Sequence, residues 1–267
     1  MHFAINHITA ANLHWFDFLK LAVKVGAVGV EFRNDLSSPL FSGSTPSKVG
    51  KALDKTGLKC LGLSQIYPFN AYCDQVALDV KSLIKIAKNC GSQSISLIPR
   101  NDGRCIDKKE SKTDLLIALR EIKPMLEEAG IVGLIEPLGF ESSSLRTKEE
   151  ALNGIESVGG GSVFKIVHDT FHHFLAQETS FFAEQTAIIH VSGVVDMELA
   201  IHEMEDKHRV LIDGKDRLEN VKQIGSLVEL GYNGPISMEC FAPEVYNSSE
   251  IVDLLQLSFS FLKNQLA

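Results

Sequence analysis

No window of the sequence approaches the roughly 20 apolar residues that a membrane-spanning helix needs. The first residues, MHFAINHI, enter a strand-like run without a basic segment followed by a long apolar one, so no signal peptide is expected. Basic residues are in deficit: 26 Lys and Arg against 34 Asp and Glu give a formal net charge of −8. That balance speaks against nucleic acid, whose binders present a basic face, and against a polybasic membrane contact. Cysteines are few, odd in number and scattered (Cys60, Cys73, Cys90, Cys105 and Cys240), with no CxxC spacing. Neither a disulfide framework nor a thiolate zinc site fits, and a reduced, cytoplasmic chain is expected. No Gly/Pro/Ser-rich linker interrupts the composition, so residues 1–267 are expected to form a single domain.

What is present is an alternation. Short β-branched or apolar runs recur at Phe3–His7, Val28–Arg33, Leu58–Ser64, Ser94–Pro99, Ile131–Glu136, Val163–Asp169, Ala187–Ser192 and Pro235–Cys240. Longer stretches with helical spacing lie between them. The clearest is Thr113–Ala129, with Leu115, Leu119, Ile122 and Leu126 on one face and Gly130 as its stop. Others are Ser47–Thr56 before Gly57, Asp74–Asn89, Thr147–Val158, Leu218–Leu230 before Gly231, and the final Ile251–Leu262. Eight such units in a chain of this length point to an α/β fold closed into a (β/α)₈ TIM barrel, rather than an open sheet. The triple glycine at 159–161 falls between a helix and the next strand, on the face away from any active site.

Barrel active sites lie at the C-terminal ends of the strands. The polar residues there are informative: Glu136 ends the fifth strand, Asp169 the sixth, His190 lies in the seventh and Glu239 near the end of the eighth. One acidic residue at a strand end is often only a cap. Four metal-ligand types on four successive strands rarely coincide by chance. Three carboxylates and an imidazole suit one divalent ion (Mn, Zn, Co or Mg) and not a thiolate-preferring site. His172, Arg209 and Glu141 are further candidates for contacting substrate. Glu31, Arg33, Gln65 and Arg100 close the earlier strands and are weaker candidates. Alternation along the strand turns Cys240 and His168 away from the rim.

With these residues assembled, the sequence resembles the xylose-isomerase-like barrel superfamily of sugar isomerases and epimerases, and most of all its inosose (2-keto-myo-inositol) isomerases. The segments that carry the resemblance are EPLGFESSSLRT (136–147), VHDTFHH (167–173), IIHVSG (188–193), RVLIDGKDRLEN (209–220) and SMECF (237–241). The resemblance implies a single divalent cation on Glu136, Asp169, His190 and Glu239, with His172 and Arg209 at the substrate. In Arg209's loop, Ile212, Asp213 and Gly214 replace the family's Pro-Gly turn. The implied reaction is proton transfer beside a carbonyl through an enediolate, with Glu136 and Glu239 exchanging the proton, and the implied partner is a small keto-polyol or sugar. The sequence leaves open homo-oligomerisation, another sugar or hydroxypyruvate isomerase, an inosose dehydratase and an endonuclease-IV-like hydrolase.

Overall fold

A computed structural model describes residues 1–105 and 107–266. Eight strands close into one parallel barrel in sequence order: β1 (His2–Asn6), β2 (Gly29–Arg33), β3 (Lys59–Ile66), β4 (Ser94–Leu97), β5 (Val132–Ile135), β6 (Phe164–Asp169), β7 (Thr186–Val191) and β8 (Pro235–Met238). Around them run α1 (Trp15–Lys24), α2 (Pro46–Thr56), α3 (Asp74–Cys90), α4 (Lys108–Ala129), α5 (Lys148–Ser157), α6 (Thr170–Leu175), α7 (Asn220–Glu229), α8 (Pro243–Tyr246) and α9 (Ile251–Gln265). This is the expected (β/α)₈ TIM barrel. Among the described residues, no helix is long and apolar enough to cross a membrane. All five cysteines are free thiols.

Two elements depart from the sequence expectation for local reasons. Helix α4 starts at Lys108, before the Thr113 at which its apolar stripe suggests a start. The Asp107 side chain accepts the backbone N–H groups of Lys109 and Glu110, a cap that adds a polar first turn. After β6 only the short α6 forms, so His172 and His173 lie inside it rather than in a turn ahead of a helix. The stops at Gly57 and Gly130 behave as expected: both take left-handed φ angles, 72° and 66°. Thr147 and Glu150 form a reciprocal capping box that fixes the start of α5.

Strand alternation sends one set of side chains outward and the other into the barrel. The outward set, including Val30, Phe32, Leu63, Ile95, Leu97, Ile135, Ile189 and Met238, packs beneath the helices. Inside, a small apolar layer of Leu134, Val167 and Ile188 closes the lower part. Above it the interior turns polar, with Asn6, Glu31, Arg33, Asp169, His190, Ser237 and Glu239 all buried. The fold therefore spends apolar burial on its outer shell and its base, and leaves the upper barrel for charge.

One buried imidazole, His7, directly follows β1. His7 stacks on Phe18, with ring centroids 4.2 Å apart, and its Nε2 is 3.0 Å from the Leu13 carbonyl oxygen. Burial, with Arg33 adding to it and the Leu13 bond opposing, pushes its pKa down to about 4. As pH falls, the unfolded chain takes up this proton first. His7 thus contributes stability that is full above the unfolded-state value near 6.5 and is lost as pH falls through 4. His173, pushed down to about 3 chiefly by burial, acts in the same direction. We predict that His7→Phe reduces the stability difference between neutral pH and pH 5 by about 2 kcal/mol. Urea unfolding at the two pH values measures this, and an unchanged difference would assign the acid sensitivity to other groups.

Candidate active site

Barrel register brings the four sequence candidates to one level. Asp169 pairs with His190 across β6 and β7, and His190 pairs with Ser237, two residues before Glu239, across β7 and β8. The Glu136 N–H donates to the Leu97 carbonyl (3.3 Å) and the Glu239 N–H to that of Val191 (2.9 Å), which extends the ladder one step past β5 and β8. Glu136, Asp169, His190 and Glu239 each offer a ligand atom, all four within 4.8 Å of one another, and all four residues are buried. Asp169 is held by the backbone as well as by side chains. Its Oδ1 accepts the N–H groups of Phe171 and His172 at the start of α6, so Oδ2 alone faces the cluster.

His190 shows what the cluster is suited to hold. Its Nε2 lies 3.1 Å from Glu31 Oε2. A carboxylate only accepts, so this nitrogen carries the hydrogen. Glu31 is itself fixed by Ser237, whose Oγ donates to Oε1 at 2.5 Å. The other ring nitrogen, Nδ1, then faces Glu239 Oε2 at 3.1 Å, Glu136 Oε1 at 3.3 Å and Asp169 Oδ2 at 4.0 Å. A neutral imidazole presents a lone pair there, against three carboxylates. Either a second proton or a cation must resolve that repulsion. Burial disfavours a charged His190, yet Glu239, Glu31 and Glu136 outweigh it and raise its pKa well above the ordinary histidine value. The donor set, with a carboxylate behind the ligating imidazole, is the arrangement that orients histidine towards a divalent ion. The residues present therefore fit a metal ion.

The two glutamates differ in their surroundings. Burial, together with the negative Glu239 and Asp169 and against the opposing His190, raises Glu136 to about 7. Burial also acts to raise Glu239, but His190, Arg209 and Arg33 overcome it and hold this carboxyl well below the usual range. Geometry agrees. Glu239 Oε1 accepts from Asn6 Nδ2 (3.0 Å) and Arg33 Nη1 (2.8 Å), and Oε2 accepts from Arg209 Nη2 (2.9 Å).

Above the cluster opens a pocket of about 230 Å³. Glu136, Glu239, His172 and Arg209 line it, with Arg33, Asp35, Gln65, Tyr67 and Asn101 from the first half and Phe140 and Phe241 as aromatic walls. Arg209 is not a loosely placed surface residue. It is 1 % exposed, bonds Asp169 Oδ2 at 2.6 Å and Glu239 Oε2, and lies over the Phe241 ring at 4.6 Å. Its loop is anchored by the antiparallel bridge between Gly193 and Val210. Burial and neighbouring Lys148 hold His168 neutral on the outer face, where Nε2 meets Gln223 Oε1 at 2.9 Å. Glu141 is brought elsewhere: it is exposed and lines a neighbouring groove beside Arg146 and Ile201. Arg100 is outside the pocket lining, whereas Glu31 lies beneath it and Arg33 and Gln65 are part of it. Sequence reasoning passed over Asn6 and Asp35 and underrated Glu31 and Arg33. The available signal was a glutamate and an arginine of the same parity inside β2, a strand buried on both faces.

With this geometry in hand, comparison with known proteins is specific. The family model described as xylose isomerase-like TIM barrel matches residues 19–265. An inosose isomerase from Bacillus velezensis is 24 % identical over 198 residues, 71 % of this chain and 69 % of that one. The crystal structure of a xylose isomerase domain-containing protein from Salmonella typhimurium LT2 superimposes with a TM-score of 0.90 and 27 % identity, over 99 % of this chain and 97 % of that one. The IOLI protein, whose crystal structure contains a zinc atom, superimposes with a TM-score of 0.86 and 20 % identity, over 100 % and 98 % of the two chains.

The Glu31 contact is open to test without a substrate. Glu31→Gln keeps the shape of the side chain but removes the charge that fixes the His190 tautomer. Divalent-ion affinity, measured by titration calorimetry with Zn²⁺ or Mn²⁺, is expected to fall about 10- to 100-fold. Unchanged affinity would mean that Glu31 does not orient the imidazole.

Proposed function

The chain belongs to the xylose isomerase-like TIM barrel family, and we propose that it is a metal-dependent isomerase or epimerase of an uncharged keto-polyol or sugar, interconverting inososes. The observation that carries this is the convergence of Glu136, Asp169, His190 and Glu239 beneath a small polar pocket. The inosose isomerase likeness supports the choice of substrate. Charge supports it too. Asp35, Glu136, Asp206 and Glu239 line the pocket against two guanidinium groups, Arg33 and Arg209, and both are already paired with carboxylates. A phosphorylated or carboxylate substrate would find no free cation among these groups. A pocket of about 230 Å³ and a net charge of −8 argue against an endonuclease.

Glu136, Asp169, His190 and Glu239 would hold the ion. When bound, a divalent cation supplies Lewis-acid polarisation of the substrate carbonyl and stabilises the negative charge of an enediolate. The protein's own groups do the rest. Glu136 and Glu239 enter from β5 and β8, so a substrate between them meets one carboxylate on each side. One removes the proton alpha to the carbonyl and the other returns a proton to the former carbonyl carbon, while the hydroxyl proton passes to the former carbonyl oxygen. Arg209, held over Phe241, bonds Ser192, Asp206, Asp169 and Glu239, which leaves one Nη1 hydrogen for the oxygen on which charge develops. His172 lies in the pocket wall with Nδ1 unpaired, and burial keeps it below the ordinary histidine pKa, so it remains a neutral partner for a hydroxyl.

The exchangeable route has a distinct isotopic signature. Product formed from 2-keto-myo-inositol in D₂O by the metal-loaded enzyme is expected to carry deuterium at the carbon that receives the proton. Glu136→Gln and Glu239→Gln, each checked for metal content, are expected to lose about 10²–10⁴-fold in kcat. Substantial turnover without solvent deuterium would instead favour a hydride shift.

A further inference from the structure

The candidate metal ligands occupy only half of the barrel rim. They come from β5 to β8, while β2 and β3 lie diametrically opposite β6 and β7 in the closed barrel. The opposite half is also built. Arg33, at the end of β2, holds the Asp35 carboxylate at both oxygens, Nε to Oδ1 at 2.8 Å and Nη2 to Oδ2 at 2.6 Å. Gln65, from β3, adds a third bond, Nε2 to Asp35 Oδ2 at 3.1 Å. Asn34 secures Gln65 in turn, accepting the Gln65 N–H at 2.8 Å and donating to its carbonyl at 3.1 Å. Both Asp35 and Gln65 line the pocket, and about a third of the Asp35 side chain (32 %) remains exposed.

This is more fixing than a surface aspartate needs. A carboxylate offers about four acceptor positions, and the three donors here leave one on Oδ1. Arg33 also bonds Glu239 at 2.8 Å, so the position of Asp35 is referred directly to the reacting half of the site. An immobilised carboxylate with a spare acceptor position, facing a pocket whose reactive groups lie on the far side, is matched to a hydroxyl hydrogen. It repels phosphate and carboxylate groups.

We propose that Asp35 and Gln65 are specificity-determining residues that bind the substrate hydroxyls remote from the carbonyl, with Arg33 as the positioning residue. The proposal rests on the keto-polyol assignment above and adds which part of the molecule is recognised, and by which strands. A substrate held at its carbonyl end by β5 to β8 extends towards β2 and β3. A short ketose without remote hydroxyls leaves the Asp35 acceptor empty. A polyol carrying a hydroxyl on each remaining carbon fills it.

The test pairs enzyme variants with substrate variants. Metal-loaded wild type, Asp35→Asn and Gln65→Met are assayed on 2-keto-myo-inositol and on analogues lacking one ring hydroxyl remote from the carbonyl. Wild type is expected to prefer the complete polyol by about 10- to 100-fold in kcat/KM for at least one such hydroxyl, the range of a hydrogen bond to a charged group. That preference is expected to collapse several-fold or more in Asp35→Asn, and to weaken in Gln65→Met, mainly through KM. A variant damaged only in its folding loses activity on both substrates alike and keeps the ratio. An unchanged ratio in both variants, or a wild-type enzyme indifferent to every remote hydroxyl, overturns the proposal and leaves the isomerase assignment standing. Absence of wild-type turnover on every keto-polyol overturns that assignment, and this proposal with it.

Discussion

Four carboxylates converge on one buried imidazole, and most of the upper barrel is arranged around that fact. Glu31 approaches His190 from below, and Glu136, Asp169 and Glu239 from above. The ligand oxygens of Glu136, Asp169 and Glu239 lie within 4.8 Å of one another, and charges of one sign that close in a desolvated interior repel strongly and cannot be left uncompensated. The protein's own cations answer only part of it: Arg209 reaches Asp169 and Glu239, and Arg33 reaches Glu239. Among the described residues Glu136 has no guanidinium partner, and it is the carboxyl whose pKa rises, chiefly from burial and then from its anionic neighbours. The uncompensated charge therefore lies beside Glu136 and the Nδ1 of His190, the place where a divalent ion would relieve it.

The barrel makes this concentration affordable by separating its tasks. Outward residues such as Phe32, Leu97 and Ile189 form the large apolar shell under the helices, and Leu134, Val167 and Ile188 seal the base. Stability thus comes from layers that the site does not occupy. Closing the sheet removes its edges, so every strand end is held laterally by two neighbours. Asp169 gains further rigidity because it also caps α6. A carboxylate tied through one oxygen to two backbone N–H groups has little freedom to swing, and this fixes the direction in which its other oxygen points.

How far this was legible in the sequence follows from how each residue signals. Glu136, Asp169, His190 and Glu239 stand at or next to the ends of apolar runs, so strand periodicity alone aligns them. The same alternation turned His168 and Cys240 outward, where the structure has them bonded to Gln223 and close to the Val210 carbonyl. Glu31 was visible but undervalued: a strand read by itself does not reveal that the side chain inside it will meet a histidine 159 positions later. Asn6 and Asp35 are harder to read: Glu239 reaches Asn6 only when the barrel closes, and Gln65 reaches Asp35 only when β3 pairs with β2, although Arg33 stands just two residues from Asp35. Glu141 shows the reverse error. Proximity to Glu136 in sequence suggested a shared pocket, but the loop after β5 carries its side chain out to another groove.

Glu239 connects the two halves of the rim. It is bonded by Arg33 from β2, by Asn6 from β1 and by Arg209 from the loop after β7, and it faces His190 on β7. No other carboxylate among the described residues of the cluster is bonded to both arginines. A shift of Arg33 therefore changes two things together, the direction of Asp35 and the hydrogen-bonding of Glu239. In a fold where β2 and β8 are separated by β1, the Arg33–Glu239 pair is a direct link across that strand. Substitutions at Arg33 should for this reason be non-additive with substitutions at Glu239, since residues in one hydrogen-bond network share partners. Recognition on one half of the rim and chemistry on the other are then not independent modules. They meet at one carboxylate, whose position both halves determine.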